Sequence, residues 1–191
     1  VAREERWPPV YDADGLIKMI EELAARPDVA AAFYEWRADR STSTVADVCQ
    51  GDIIELATDV PAIGEDGAPL AEEHPGGFWL VIGNTCDFDR SVKDVRWTQL
   101  VPIVDLGGDD LPEARALKRY MTSRAFYVPA WFEGVVGRCC TADFLRPVAV
   151  DKRVFASGRA KVLARLTRPA WVLLNACLVR FLARDDGRYA A

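Results

Sequence analysis

Histidine is almost missing from this chain: His74 stands alone among 191 residues. A Cys–His catalytic pair can therefore be built around one imidazole only, and no Cys/His set with zinc-ligand spacing exists. Cysteine occurs five times, as Cys49, Cys86, Cys139, Cys140 and Cys177, without a CxxC and in an odd number. That pattern speaks against a secreted disulfide scaffold and for a reducing, cytoplasmic compartment. Long apolar runs are missing too. The longest, AAAF and WVLLNACLV, fall short of the ~20 residues of a membrane helix, and no signal-peptide pattern opens the chain. There is no internal repeat and no low-complexity tract, and no cofactor is expected. Lysine is scarce, 5 against 19 arginines, a compositional habit of GC-rich bacterial genomes.

What is present describes a globular protein. Half the residues are apolar and 10% are aromatic, and the length suffices for one well-buried domain with an appendage. The net charge of −5 hides an asymmetry: residues 1–143 carry −12, whereas residues 144–184 carry +8. Such polarity either marks an anionic partner at the C-terminal end or lets the two segments neutralise each other when packed.

Periodicity gives the organisation. Residues 12–40 read as two short helices, capped by Asp14 and Asp28 and separated by Pro27, a helical arm over residues 1–48 that lies on a barrel or mediates dimerisation. The texture of residues 49–191 is β. Strands are expected at Asp52 to Leu56, at Phe78 to Ile82, and from Trp97 to Val104 with the alternation ending at Pro102. Asp59 to Gly77 reads as a Pro/Gly-rich loop between the first two. Asp110-Leu111-Pro112 opens a helix. Further strands are expected near Ala125 to Val128, Val135 to Cys139, Phe144 to Val150 and Arg153 to Ala156. A last helix runs from Thr167 to about Arg184, with Trp171, Leu174, Leu178 and Phe181 as its apolar stripe. Many short strands with few helices predict a mainly β fold with α additions, a small curved barrel.

The order QGDII, long loop, FWLVIGN, short loop, TQLVPIV, over Gln50 to Asp105, resembles the plasmid-maintenance toxin family of MazF, PemK and Kid type. The chain also resembles a group of bacterial proteins whose second strand ends in a Thr-Cys-Asp signature, here Thr85-Cys86-Asp87. The resemblance implies an SH3-like barrel, a toxin–antitoxin or phage-conflict setting and a homodimer. It does not carry over the ribonuclease chemistry. The family's arginine at the start of the second strand falls at Gly77 or Phe78, and its hydroxyl residue after the third strand's Pro-Ile falls at Val104. A phosphorane-like transition state needs both groups. The fold can be shared without the mechanism.

The candidate site centres on the exit of the second strand. Cys86 is a nucleophile if a neighbour lowers its pKa, with Asp87 beside it and His74 as the base; otherwise it is a half-buried structural thiol. Asp87 and Asp89, on one face of an extended chain, suit a hard cation completed by Asp105 or Asp52; the plainer alternative is turn chemistry. Asn84 and Thr85 either bind a ligand or close the turn, and Arg90 offers a positive charge nearby. The pair Cys139-Cys140 reads as structural. The basic run Arg146, Lys152, Arg153, Arg159, Lys161, Arg165 and Arg168, interleaved with Phe155 and Trp171, suits phosphates and stacked bases, with Arg146, Arg153 and Arg165 as the binding candidates. Two functions follow. The first is a toxin-like module that binds a nucleic acid or a protein partner; the second is a hydrolase or transferase using Cys86 and Asp87.

Overall fold

The computed structural model describes residues 13–24, 26, 28–36, 45–56, 59–63, 68–73, 77–108, 111–120, 122–129 and 138–182. In chain order these form α1 (Ala13–Ala24), α2 (Val29–Phe33), β1 (Tyr34–Trp36), β2 (Asp52–Leu56), β3 (Asp59–Ile63), β4 (Pro69–Glu73), β5 (Phe78–Val81), α3 (Thr85–Phe88), β6 (Trp97–Gly108), α4 (Pro112–Lys118), β7 (Ala125–Val128), β8 (Arg138–Asp143), β9 (Val148–Asp151), α5 (Arg153–Ala156), β10 (Ala160–Leu166) and α6 (Arg168–Leu182). The fold is mainly β with helical additions. It divides into two compact units, one holding the described residues of 36–104 and 146–165, the other those of 1–35, 105–145 and 166–191. No helix among the described residues is long and apolar enough to cross a membrane.

The first is a meander unit. β2 pairs with β5, β5 with β6 and β6 with β9, and β10 returns to pair with β2, every ladder antiparallel. Ile53, Ile54, Trp79, Leu80, Val81, Leu100 and Val101 are all fully buried, so consecutive residues are covered on both faces. This is why these strands read as continuous apolar runs rather than alternations. Ile54, Leu56, Trp79, Val81, Phe88, Leu100, Phe155 and Val162 share one core. Nothing pairs β9 with β10 among the described residues, so the expected barrel is not closed.

Several sequence expectations change here. Residues 59–63 and 69–73, expected within a loop, form an antiparallel hairpin. β6 does not stop at Val104, as expected, but continues to Gly108. Pro102 lies opposite Trp79, so the missing N–H costs one ladder position and not the strand. Arg153 to Ala156 is a short helix, not a strand. Asp151 Oδ1 accepts the Arg153 N–H (3.0 Å) and Phe155 N donates to Lys152 O (3.1 Å), which turns the chain. Residues 144–146 form a turn before β9, with Asp143 Oδ1 accepting the Leu145 N–H at 2.9 Å. β8 begins at Arg138 and runs to Asp143; Val135 lies outside the described residues.

In the second unit Asp28 caps α2 as expected, its Oδ1 accepting Ala31 N–H at 2.9 Å. The side chain of Asp14 lies outside the described residues. Thr167 Oγ1 donates to Ala32 O (2.7 Å) and Thr167 N to Phe33 O (2.8 Å), tying the start of α6 to the end of α2. The buried face of α6 is Ala170, Leu173, Leu174, Ala176 and Cys177. Trp171 is 37% exposed, so the apolar stripe is rotated from the expected one. β7 and β8 form a hairpin in which Cys139 and Cys140, pointing to opposite faces, are both buried.

Candidate functional site: a groove beside the Thr-Cys-Asp turn

Beyond β5 the chain is drawn tightly onto β6. Ile82 N and Gly83 N both donate to Gln99 O, at 3.0 and 3.1 Å. A Cβ on Gly83 would lie 2.1 Å from Thr98 Oγ1, so only glycine permits this approach. Asn84 then takes an extended backbone, and its Oδ1 accepts the Cys86 N–H at 3.0 Å, capping α3. Thr85 Oγ1 accepts Gln50 N–H (2.9 Å), and Gln50 Nε2 donates to Ile82 O (3.0 Å). From below, the fully buried Lys152 donates its ammonium to the carbonyls of Asp87 and Arg90. Phe88 packs edge-on against Phe155 at 5.7 Å. The signature segment is therefore anchored by backbone, amide and ammonium, and presents Asn84, Cys86, Asp89 and Arg90 to solvent.

Next to this turn lies a groove of about 450 Å³ whose lining includes Gln50, Gly83, Asn84, Asp87, Trp97 and Gln99. Trp97 is 54% exposed, and the Arg96 guanidinium sits 4.9 Å from its ring centroid. Arg96 Nε donates to Asp151 at 2.7 Å, and Arg153 grips the same carboxylate. These arginines, Arg153 first, hold the Asp151 carboxyl well below the usual carboxylate range. An exposed indole with a cation over one face of its ring, and with amides and one carboxylate beside it, makes a surface for a flat polar ring. Thr98 Oγ1 is buried against Gly83 and has no hydrogen-bond partner among the described residues.

The sequence-selected residues divide accordingly. Asn84 and Asp87 line the groove. Thr85 serves the turn through Gln50. Cys86 is exposed on the first turn of α3; His74, its proposed base, lies outside the described residues. Asp87 and Asp89 do not share one face of an extended chain, because Asp87 is helical and Asp89 is the C-cap of α3. Asp52 is committed to Arg165 (2.7 and 2.9 Å), and Asp105 pairs with Arg138. No group of three His, Cys, Asp or Glu side chains that could hold a metal ion occurs among the described residues. Arg165 also donates to Asp47 O, so its guanidinium serves the fold rather than an exposed surface. Arg146 is exposed on the turn before β9, and Arg153 serves Asp151. Burial pushes the Cys177 thiol up to about 12, which leaves it inert. Sequence reading missed Trp97 and Gln99 as site residues; the signal available was a glycine ending an apolar strand opposite a polar-flanked tryptophan.

The two positions singled out by the sequence resemblance lie elsewhere on the same ladder. With Trp79 opposite Pro102 and Val81 opposite Leu100, Phe78 and Val104 fall toward the far end of the β5–β6 pair, roughly 17 Å and roughly 20 Å along it from Gly83 at ~3.3 Å per residue. Comparison of the chain with protein-family models, with curated proteins and with solved structures finds no match.

Proposed function

We propose that this protein is a toxin-like barrel module that binds single-stranded nucleic acid without the family's ribonuclease chemistry. The groove carries this reading: Trp97 is a stacking platform, and base–aromatic stacking contributes about 1–3 kcal/mol per base. The strand order supports the SH3-like assignment, because β10 returns to the first strand of the β2-β5-β6-β9 meander, as a small, partly open barrel requires. The toxin–antitoxin or phage-conflict setting and the homodimer come from the sequence resemblance alone. Fluorescence anisotropy with mixed single-stranded RNA and DNA, with gels run on the same samples, tests it. Binding without cleavage is expected, weakened about tenfold or more by Trp97→Ala. The exposed thiol of Cys86 carries the second reading, a cysteine-dependent hydrolase or transferase using Asp87. Absence of binding, together with alkylation of Cys86 far below the free-thiol pKa of about 8.5, would move the assignment there.

A further inference from the structure

We infer that the groove selects guanine. This rests on the nucleic-acid reading above and names the base that the site accepts.

Asn84 and Asp87 are three residues apart across the single turn of α3, so their side chains are neighbours on one side of it, and both line the groove. Asn84 Oδ1 is committed to the Cys86 N–H. Asn84 therefore offers a ligand the N–H donors of its Nδ2 amide, its Oδ1 already accepting one bond. Asp87 is the charged residue of the lining. Its ion-pair partner Arg90 places Nη1 3.9 Å from Oδ1, beyond hydrogen-bond distance, and Lys152 is engaged with the Asp87 carbonyl, so the carboxylate oxygens can accept from a ligand. The backbone of Asp87 is fixed by the buried Lys152, which holds the carboxylate in place relative to the Trp97 platform.

An ionised carboxylate accepts and never donates, and its two oxygens match two N–H donors side by side. Guanine carries such a pair, N1–H and N2–H, on its Watson–Crick edge, with O6 beside it as an acceptor for an amide donor. Adenine, cytosine and uracil place an acceptor next to their donor on that edge, which a carboxylate repels. A carboxylate inside the groove also disfavours phosphate there. The site therefore reads a base edge and leaves the sugar–phosphate outside.

The test is a binding series on the whole chain, followed by anisotropy and Trp fluorescence. The probes are oligouridylate, the same oligomer with one central guanosine, the same with inosine in its place, and GMP, AMP, CMP and UMP alone. The guanosine oligomer should bind at least tenfold tighter than oligouridylate. Inosine, which lacks the N2 amine, should lose about tenfold of that, the effect of one charge-assisted hydrogen bond. Asp87→Asn keeps the shape and the Lys152 contact and should abolish the preference, oligouridylate gaining affinity as the carboxylate that repels uracil's acceptors is lost. Equal binding of all oligomers overturns the guanine assignment and leaves the single-strand module standing. Binding of GMP over the other nucleotides, without oligomer binding, supports guanine recognition but makes a free nucleotide its source and overturns the polynucleotide reading. No binding of any probe overturns both.

Discussion

Gly83 is the residue on which the geometry of the groove turns. Its missing side chain lets the end of β5 lie against Thr98, and its N–H shares Gln99 O with Ile82. Gly83→Ala would place a methyl group 2.1 Å from Thr98 Oγ1 and 3.1 Å from Gln99 N. Overpacking of that kind costs about 1–3 kcal/mol. Thr98→Ala alone should change stability by less than about 1 kcal/mol, since it removes a buried hydroxyl that has no partner among the described residues. Combined with Gly83→Ala it should recover most, though not all, of the loss, because the backbone contact at Gln99 remains. Urea denaturation of the two single variants and the double variant checks this. Additive losses would mean that the two positions do not touch.

Individual strands were legible where local pattern and final environment agree. β2 and β7 fall at the expected residues because an apolar run bounded by turn residues needs no further information. Arg153–Ala156 was not legible, since its helix is started by the side chain of Asp151, two residues upstream, rather than by its own apolar pattern. The candidate turn at Asn84–Asp89 was visible from its polar residues. The groove was not, because Trp97 and Gln99 reach it only through the β5–β6 ladder and Gln50 only through its hydrogen bonds to Thr85 and Ile82. Arg165 shows the same limit. As sequence it belongs to a basic run, whereas β10 pairs it with Asp52 on β2, where the carboxylate is wholly buried and also accepts Cys49 N–H at 2.8 Å. Arg165→Gln should therefore destabilise the fold by about 3–5 kcal/mol, because it strands a buried charge. Asp52→Asn with Arg165→Gln should cost less than the single change. A double variant no more stable than Arg165→Gln, measured by chemical denaturation, would show that the pair is not what holds β10 to β2.

Across the whole molecule the charge asymmetry of the sequence resolves into local pairings. Residues 144–184 hold a formal +8, which as a free surface would be a polyanion-binding face. The structure engages much of it internally. Lys152 is buried on two carbonyls, and Arg153 is on Asp151. Lys161 is on Glu55, Arg165 on Asp52, and Arg180 on the carbonyls of Tyr120 and Thr122. Each of these pairings lies within its own unit. The two units are assembled from segments far apart in the chain, so a running sum of charge along the sequence cannot report which basic residues remain for a ligand. The consequence is a quantitative expectation for nucleic-acid binding. A protein that neutralises Z phosphates of a single strand shows a slope of about −0.7Z in log K against log salt. With most of the basic run engaged and a groove built of an indole, amides and a carboxylate, binding should depend on stacking more than on phosphate contacts. The slope should then be shallower than about −2, corresponding to three phosphates or fewer. Anisotropy titrations from low to moderate salt measure it. A slope of about −4 or steeper would mean that the internal pairs open to engage phosphates and that affinity resides in the basic run; a shallow slope that vanishes with Trp97→Ala places the affinity in the groove.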